Sequence, residues 1–93
     1  MKQLEEEFKG RGQVKGFVFT QLEKSAAGYI YAVYTGENVH FEVFKHKENK
    51  HFNCVSYPSN KGFGVWAWTF SDIDKAKNKF DELETLLDIK NGL

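Results

Sequence analysis

Apolar residues cluster in short segments over the first three quarters of the chain, and each segment is bounded by Gly, Asn, Ser or Pro. This pattern is typical of strands joined by turns. It predicts five strands, at residues 14–23, 29–34, 39–47, 51–57 and 63–70. The TGEN sequence at 35–38 predicts a tight hairpin between the second and third of them.

The pattern changes after residue 70, where apolar positions recur at intervals of three and four residues. Such spacing predicts an amphipathic helix over 71–90. Ser71 followed by Asp74 resembles a capping box in which Asp replaces the usual Glu. The apolar stripe consists of Ile73, Ala76, Phe80, Leu83 and Leu87.

Residues 1–12 form a short N-terminal segment in which Leu4 and Phe8, four positions apart, predict one or two helical turns. We therefore expect a single domain over 1–93, with a sheet at 13–70 and a C-terminal helix at 71–90. The predicted class is α+β: an antiparallel meander of four to five strands followed by one amphipathic helix packed on one sheet face.

Strand register determines which side chains share a face. A two-residue loop at 36–37 pairs Tyr34 with Val39 and Ile30 with Val43. Residues with the parity of Ile30 form a small aliphatic face that suits a packed helix, and Cys54 is expected to join it. The opposite, aromatic face carries Tyr29, Tyr31, Val33, His40, Glu42, Phe44, Asn53, Val55 and Tyr57.

The helix is too small to cover the sheet. Five strands give a face of roughly 480 Å², whereas a helix of this length covers about 250 Å². The aromatic face must therefore curl on itself, take the N-terminal segment, pack against another subunit or bind a partner.

Composition narrows the class of protein. The chain has 93 residues, equal numbers of acidic and basic residues, 41% hydrophobic residues and 28% charged residues. These values exclude intrinsic disorder and disfavour a strongly basic nucleic-acid binder. A single cysteine excludes a disulfide scaffold. We expect a cytoplasmic protein, because no apolar segment resembles a signal peptide or a membrane span.

Candidate chemistry is sparse. His40, Glu42 and His46 share a parity, with His51 across a turn, but their spacing matches no compact metal motif. We expect no metal, no cofactor and no enzymatic activity. Cys54 is expected to be a buried, inert thiol, and Trp66 and Trp68, which share a face with Phe70, are expected to be core anchors.

Four segments carry a resemblance to known proteins: residues 14–21, 42–45, 52–58 and 63–69. There the chain resembles a group of small proteins from gut Bacteroides-type bacteria and their phages or mobile elements, over about residues 12–85. The resemblance implies an origin in a phage or mobile element. It brings no catalytic residues and no assigned activity.

These observations predict a non-enzymatic interaction module that associates with itself, as a homodimer, or with a protein partner through the aromatic face. The alternative is a single-stranded nucleic-acid-binding protein, because residues 38–70 hold four lysines, two glutamates and all three histidines. A membrane partner is not expected. The predicted binding residues are Phe19, Tyr31, Phe44, Tyr57, His40 and Glu42.

Overall fold

The computed structural model describes residues 1–92, so the predicted domain extends one residue, Leu93, beyond the described part of the chain. Seven strands are followed by one long helix. They are β1 (Glu7–Lys9), β2 (Val18–Lys24), β3 (Gly28–Tyr34), β4 (Val39–Lys45), β5 (Glu48–Asn49), β6 (Cys54–Val55), β7 (Ala67–Phe70) and α1 (Ile73–Lys90).

Five strands form one antiparallel sheet in the order β1-β2-β3-β4-β7, and α1 packs on one of its faces. The predicted α+β class is confirmed. The register of the central hairpin is also confirmed, because Tyr34 pairs with Val39 and Ile30 pairs with Val43. Gly36 lies in the hairpin turn with φ +99°, a left-handed conformation that favours glycine.

Residues 7–9 of the N-terminal segment form a strand and no α-helix lies within residues 1–12, so the prediction of helical turns from Leu4 and Phe8 is wrong. Glu7–Lys9 pairs with β2 as an edge strand, and the backbone N–H of Gln21 donates to the backbone carbonyl of Glu6 at 2.7 Å. The ring of Phe8 stacks on that of Phe19 at 4.7 Å between centroids. A two-turn helix is marginal in water, whereas strand pairing satisfies the backbone and buries this ring.

The predicted fourth strand, residues 51–57, does not join the main sheet. Only Cys54–Val55 is extended there, and it pairs with β5 in a separate two-stranded sheet. The edge of β4 is taken instead by β7, which is shorter than the predicted strand 63–70. Asn53 has φ +51°, so a turn interrupts the segment just before β6.

Trp66 and Trp68 lie on opposite sides of the sheet, so the prediction that they share a face is wrong. The chain turns at residues 60–66 before β7 begins, which removes strand parity there. Trp66 packs with the aromatic residues, whereas Trp68 and Phe70 pack with α1. The Lys79 ammonium lies 4.0 Å from the centre of the Trp68 ring.

The helix-side core follows the predicted stripe, and its buried residues are aliphatic apart from Phe80. Ile30 and Val43 of the sheet pack against Ala76, Phe80 and Leu83 of α1. Asp72, rather than Ser71, caps the helix, since its Oδ1 accepts a hydrogen bond of 2.7 Å from the Asp74 amide. Within residues 1–92, no helix has the length and apolarity needed to cross a membrane.

The other side of the sheet is covered by chain that has little regular structure. Two segments form this cover, namely the N-terminal segment, residues 1–9, and the long connection, residues 46–66. They are tied to each other where the Lys2 amide donates to the Asn53 carbonyl at 2.9 Å and the Val55 amide donates to the Lys2 carbonyl at 2.8 Å. Of the four possibilities for the aromatic face, the chain covers it mainly with its own N-terminal segment and this connection.

Candidate functional site

The parity predicted for the aromatic face is confirmed, but the exposure of its aromatic residues is not. Phe19, Tyr31 and Phe44 lie opposite α1, as expected, and belong to a buried cluster. Tyr31 and Phe44 are fully inaccessible to solvent and Phe19 retains 6% exposure. These three side chains are core residues, which corrects the expectation that they form an open binding surface. The cover formed by residues 1–9 and 46–66 is the physical reason.

Tyr57 is the centre of this aromatic packing. Its ring meets four other rings edge-on or steeply tilted, at centroid distances of 4.8–5.5 Å. These rings come from the N-terminal segment and from three strands, so one side chain joins the cover to the sheet. Edge-to-face contacts at these distances are favourable because the ring edge is positive and the ring face negative. The four rings are Phe8, Phe19, Tyr31 and Phe44.

The phenol of Tyr57 donates a short hydrogen bond to Oε1 of Glu42 on β4. The other carboxylate oxygen, Oε2, lies 3.0 Å from Nε2 of His40, which donates to it. Burial raises the pKa of the Tyr57 phenol, and the nearby Glu42 carboxylate raises it further. The phenol therefore keeps its proton and holds the carboxylate in one orientation.

An open cavity of about 650 Å³ lies beside this group, between the N-terminal segment and the connection before β7. We call it the tyrosine cleft. Three of the six predicted binding residues, Phe19, Glu42 and Tyr57, line it, and His40 reaches it only through Glu42. Its other lining residues are Glu5, Phe8, Lys9, Gly10, Arg11, Val14, Pro58, Asn60 and Phe63.

Two further buried tyrosines connect the sheet to its cover. The Tyr31 hydroxyl donates to the Glu5 carbonyl at 2.6 Å, and Gln21 Nε2 donates to the Tyr31 oxygen at 2.9 Å. The Tyr29 hydroxyl lies 3.1 Å from His46 Nδ1. Burial raises the pKa of both phenols. These hydroxyls fix the positions of the two covering segments over the sheet.

The histidines do not converge. His40 bonds Glu42, whereas His46 bonds Glu48 at 3.3 Å. Among residues 1–92, no three His, Cys, Asp or Glu side chains are grouped so that they could hold a metal ion. Cys54 is half-buried in β6 beside Lys2, not on the helix side of the sheet, which corrects its predicted face. Because β6 lies outside the main sheet, the parity argument does not apply to it.

Sequence reasoning misses the residues that the N-terminal segment and the connection bring to the cleft. The sequence pattern places Phe8 in a helix and Phe63 in a regular strand. Arg11 and Val14 carry no signal of their own, because their position depends on where the N-terminal segment crosses the sheet. The sequence does contain one indication of this cover, because it has more aromatic residues than one helix could cover.

No family model, curated protein or solved structure matches this chain. The resemblance seen in four segments of the sequence therefore stays a prediction. Among the features of the structure, the tyrosine cleft combines an open cavity with aromatic rings and an oriented carboxylate.

Proposed function

We propose that the protein is a non-enzymatic interaction module that accepts an apolar side chain of a protein partner in the tyrosine cleft. The observation that carries this proposal is the cleft itself. It has the volume of typical ligand sites, about 300–1,000 Å³, and aromatic rings surround one oriented carboxylate within it.

The polar groups of the cleft are suited to holding a shape rather than to moving protons. The Tyr57 phenol has a raised pKa and is committed to Glu42, whose second oxygen is committed to His40. Among the described lining residues there is no serine, threonine or cysteine that could act as a nucleophile. A rigid, already bonded site reduces the ordering cost of binding, which favours affinity.

The edge of the cleft supports a protein partner. Glu5, Lys9 and Arg11 are exposed and place both signs of charge around an apolar centre. An apolar centre with a polar rim is the usual anatomy of a protein interface. We propose that the partner inserts one side chain and that its flanking polar groups meet this rim.

Self-association is a special case of the same proposal. Phe52 is the most exposed large apolar residue among residues 1–92, with 72% of its surface accessible. A second copy could present it to the cleft, which would make a homodimer. In line with the sequence, we place this activity in the cytoplasm, where the free thiol of Cys54 stays reduced, and in a protein of phage or mobile-element origin.

The test titrates the protein with N-acetyl-tryptophanamide, a neutral probe with one aromatic side chain. Binding is followed by NMR, through the chemical shifts of the protein's backbone amides. We expect saturable shifts at Phe8, Gly10 and Phe63. Val14→Asp, which places a charge at the cleft wall, should abolish them. Val39→Asp is the matched control, because Val39 is similarly exposed but lies outside the cleft. Non-saturable shifts, or equal shifts in both variants, would contradict the proposal.

Chain mass in solution then separates a foreign partner from a second copy. If the protein dimerises through the cleft, Phe52→Ser and Val14→Asp should each give monomers, while Val39→Asp stays dimeric. A dimer that survives both changes would exclude this mode of self-association.

A further inference from the structure

A second open cavity, of about 770 Å³, lies on the other side of Tyr57 between the β5–β6 hairpin and the turn at residues 58–66. We call it the lysine cleft. Three lysines line it, and one acidic residue, Glu48, does so as well. The three lysines are Lys47, Lys50 and Lys61.

Charge is concentrated around this cavity. Residues 45–61 hold four lysines and one glutamate, a net charge of +3, although the whole chain has a formal net charge of zero. The Glu48 carboxylate is bound to His46 Nε2 at 3.3 Å. Within residues 1–92, none of the three cleft lysines forms an ion pair, since the only lysine ion pair there joins Lys79 to Glu82. Three ammonium groups therefore face one carboxylate in the cleft, which leaves an excess of positive charge.

Asn49 and Tyr57 of the cleft are already bonded, to the Phe52 amide and to Glu42, but three other polar groups are donors without acceptors. The hydroxyls of Ser56 and Ser59 and the Nε1–H of Trp66 form no hydrogen bond to other groups of residues 1–92. Three ammonium groups, two hydroxyls and one indole N–H thus surround one cavity. This set matches an anion with several oxygen acceptors, of which a phosphate is the common biological example.

The position of Trp66 is fixed. A Cβ on Gly62 would lie 2.7 Å from the indole Nε1, so the buried backbone of Gly62 abuts the ring. The Lys47 ammonium lies 4.9 Å from the ring centre, and the indole remains partly exposed. Proteins that bind single-stranded nucleic acids commonly combine an aromatic ring with nearby ammonium groups. The bases stack on the ring, and the phosphates contact the lysines.

We infer that the lysine cleft binds nucleotide phosphates, with the base against Trp66, and that the ligand is a short stretch of single-stranded nucleic acid. This site is separate from the tyrosine cleft and does not depend on the function proposed for it.

The test measures the anisotropy of a fluorescein-labelled ten-nucleotide oligothymidine as protein is added, at several salt concentrations. With three lysine contacts, log K should fall with log salt with a slope of about −2. Lys50→Gln with Lys61→Gln should weaken binding about tenfold or more and bring the slope close to −0.7, because two contacts are lost. Trp66→Phe should reduce the quenching of tryptophan fluorescence by the oligonucleotide.

Lys75→Gln with Lys77→Gln is the matched control. Both residues are exposed lysines on α1, and the double change removes the same net charge. Its affinity should stay within about twofold of that of the unchanged protein, because lost net charge acts only weakly at a distance in salt. Equal weakening in the two double variants, or no saturable binding by the unchanged protein, would overturn the inference.

Free ADP distinguishes the source of the phosphate. If ADP binds as tightly as the oligonucleotide, and the Lys50/Lys61 variant loses affinity for both ligands, the site binds a free nucleotide. The inference that its ligand is a single strand is then wrong. If ADP competes only at far higher concentration, the single strand is supported.

Discussion

The two faces of one sheet are closed in different ways, and the difference explains where the clefts lie. On the helix side, α1 packs an apolar stripe on Ile30 and Val43, and the cavity beside its last turns is smaller, about 200 Å³. On the aromatic side, the cover consists of two irregular segments that meet around Tyr57. Irregular chain cannot follow the sheet surface closely, so cavities open on both sides of that ring. Aromatic contacts hold the cover, and its gaps form the two clefts.

Removing one large buried side chain from either core should have the largest effect on stability. Phe44→Ala and Phe80→Ala should each lower the free energy of unfolding by about 3–5 kcal/mol, because both rings are buried. Chemical denaturation of the two variants provides the measurement. From the sequence, a change on the aromatic face is expected to weaken association more than folding. The burial of Phe44 reverses that expectation. A Phe44→Ala variant as stable as the unchanged protein would show that the aromatic face is open.

Removing the hydroxyl of Tyr57 should have the next largest effect on the free energy of unfolding. Tyr57→Phe keeps the ring contacts but leaves Oε1 of Glu42 without its donor. We expect a loss of about 1–3 kcal/mol, the usual contribution of a hydrogen bond to a charged group, here one that is only partly exposed. Tyr34→Phe is the control, since its hydroxyl bonds the Gly36 carbonyl on the surface. If urea unfolding shows the same loss of stability in both variants, the bond to Glu42 contributes no more than a hydrogen bond on the surface.

Alkaline pH should lower the stability of the fold through the buried tyrosines of the aromatic side. The folded pKa values of Tyr29, Tyr31 and Tyr57 are raised above the ordinary value near 10 by burial. Above that pH the unfolded chain releases these protons while the folded chain keeps them, so stability falls as pH rises. The slope is up to about 1.4 kcal/mol per pH unit for each tyrosine. Urea unfolding between pH 8 and 11 measures it, and Tyr57→Phe should make the slope shallower.

The smallest expected effect on stability concerns the N-terminal cap of α1, on the helix side. Asp72→Ala removes the side chain that caps the first turn of α1 and should cost about 1 kcal/mol. Ser71→Ala should cost only a few tenths, because no side-chain cap comes from Ser71. Thermal melting compares the two. A larger loss from Ser71→Ala would restore the capping role that the sequence predicts for it.

The two faces also differ in how far sequence predicts them. The stripe of α1 and the hairpin register follow from local spacing, which places Phe80 and Ile30 correctly. The aromatic cover depends on contacts between residues far apart in sequence, such as Phe8 with Tyr57 and Lys2 with Val55. Neither periodicity nor turn signals encode those pairs. Tyr57 does lie beside Glu42, as predicted, but through the path of the connection and not through strand parity.

The central claim is that the chain closes its own aromatic face around Tyr57. Nuclear Overhauser effects from the Tyr57 ring test it directly, in isotope-labelled protein diluted with unlabelled protein so that only contacts within one chain remain. We predict strong effects to the rings of Phe8 and Phe19, whose centroids lie 5.5 and 5.4 Å away. If these effects disappear on dilution, the contacts come from a second copy, and a cover built from the chain's own segments is contradicted.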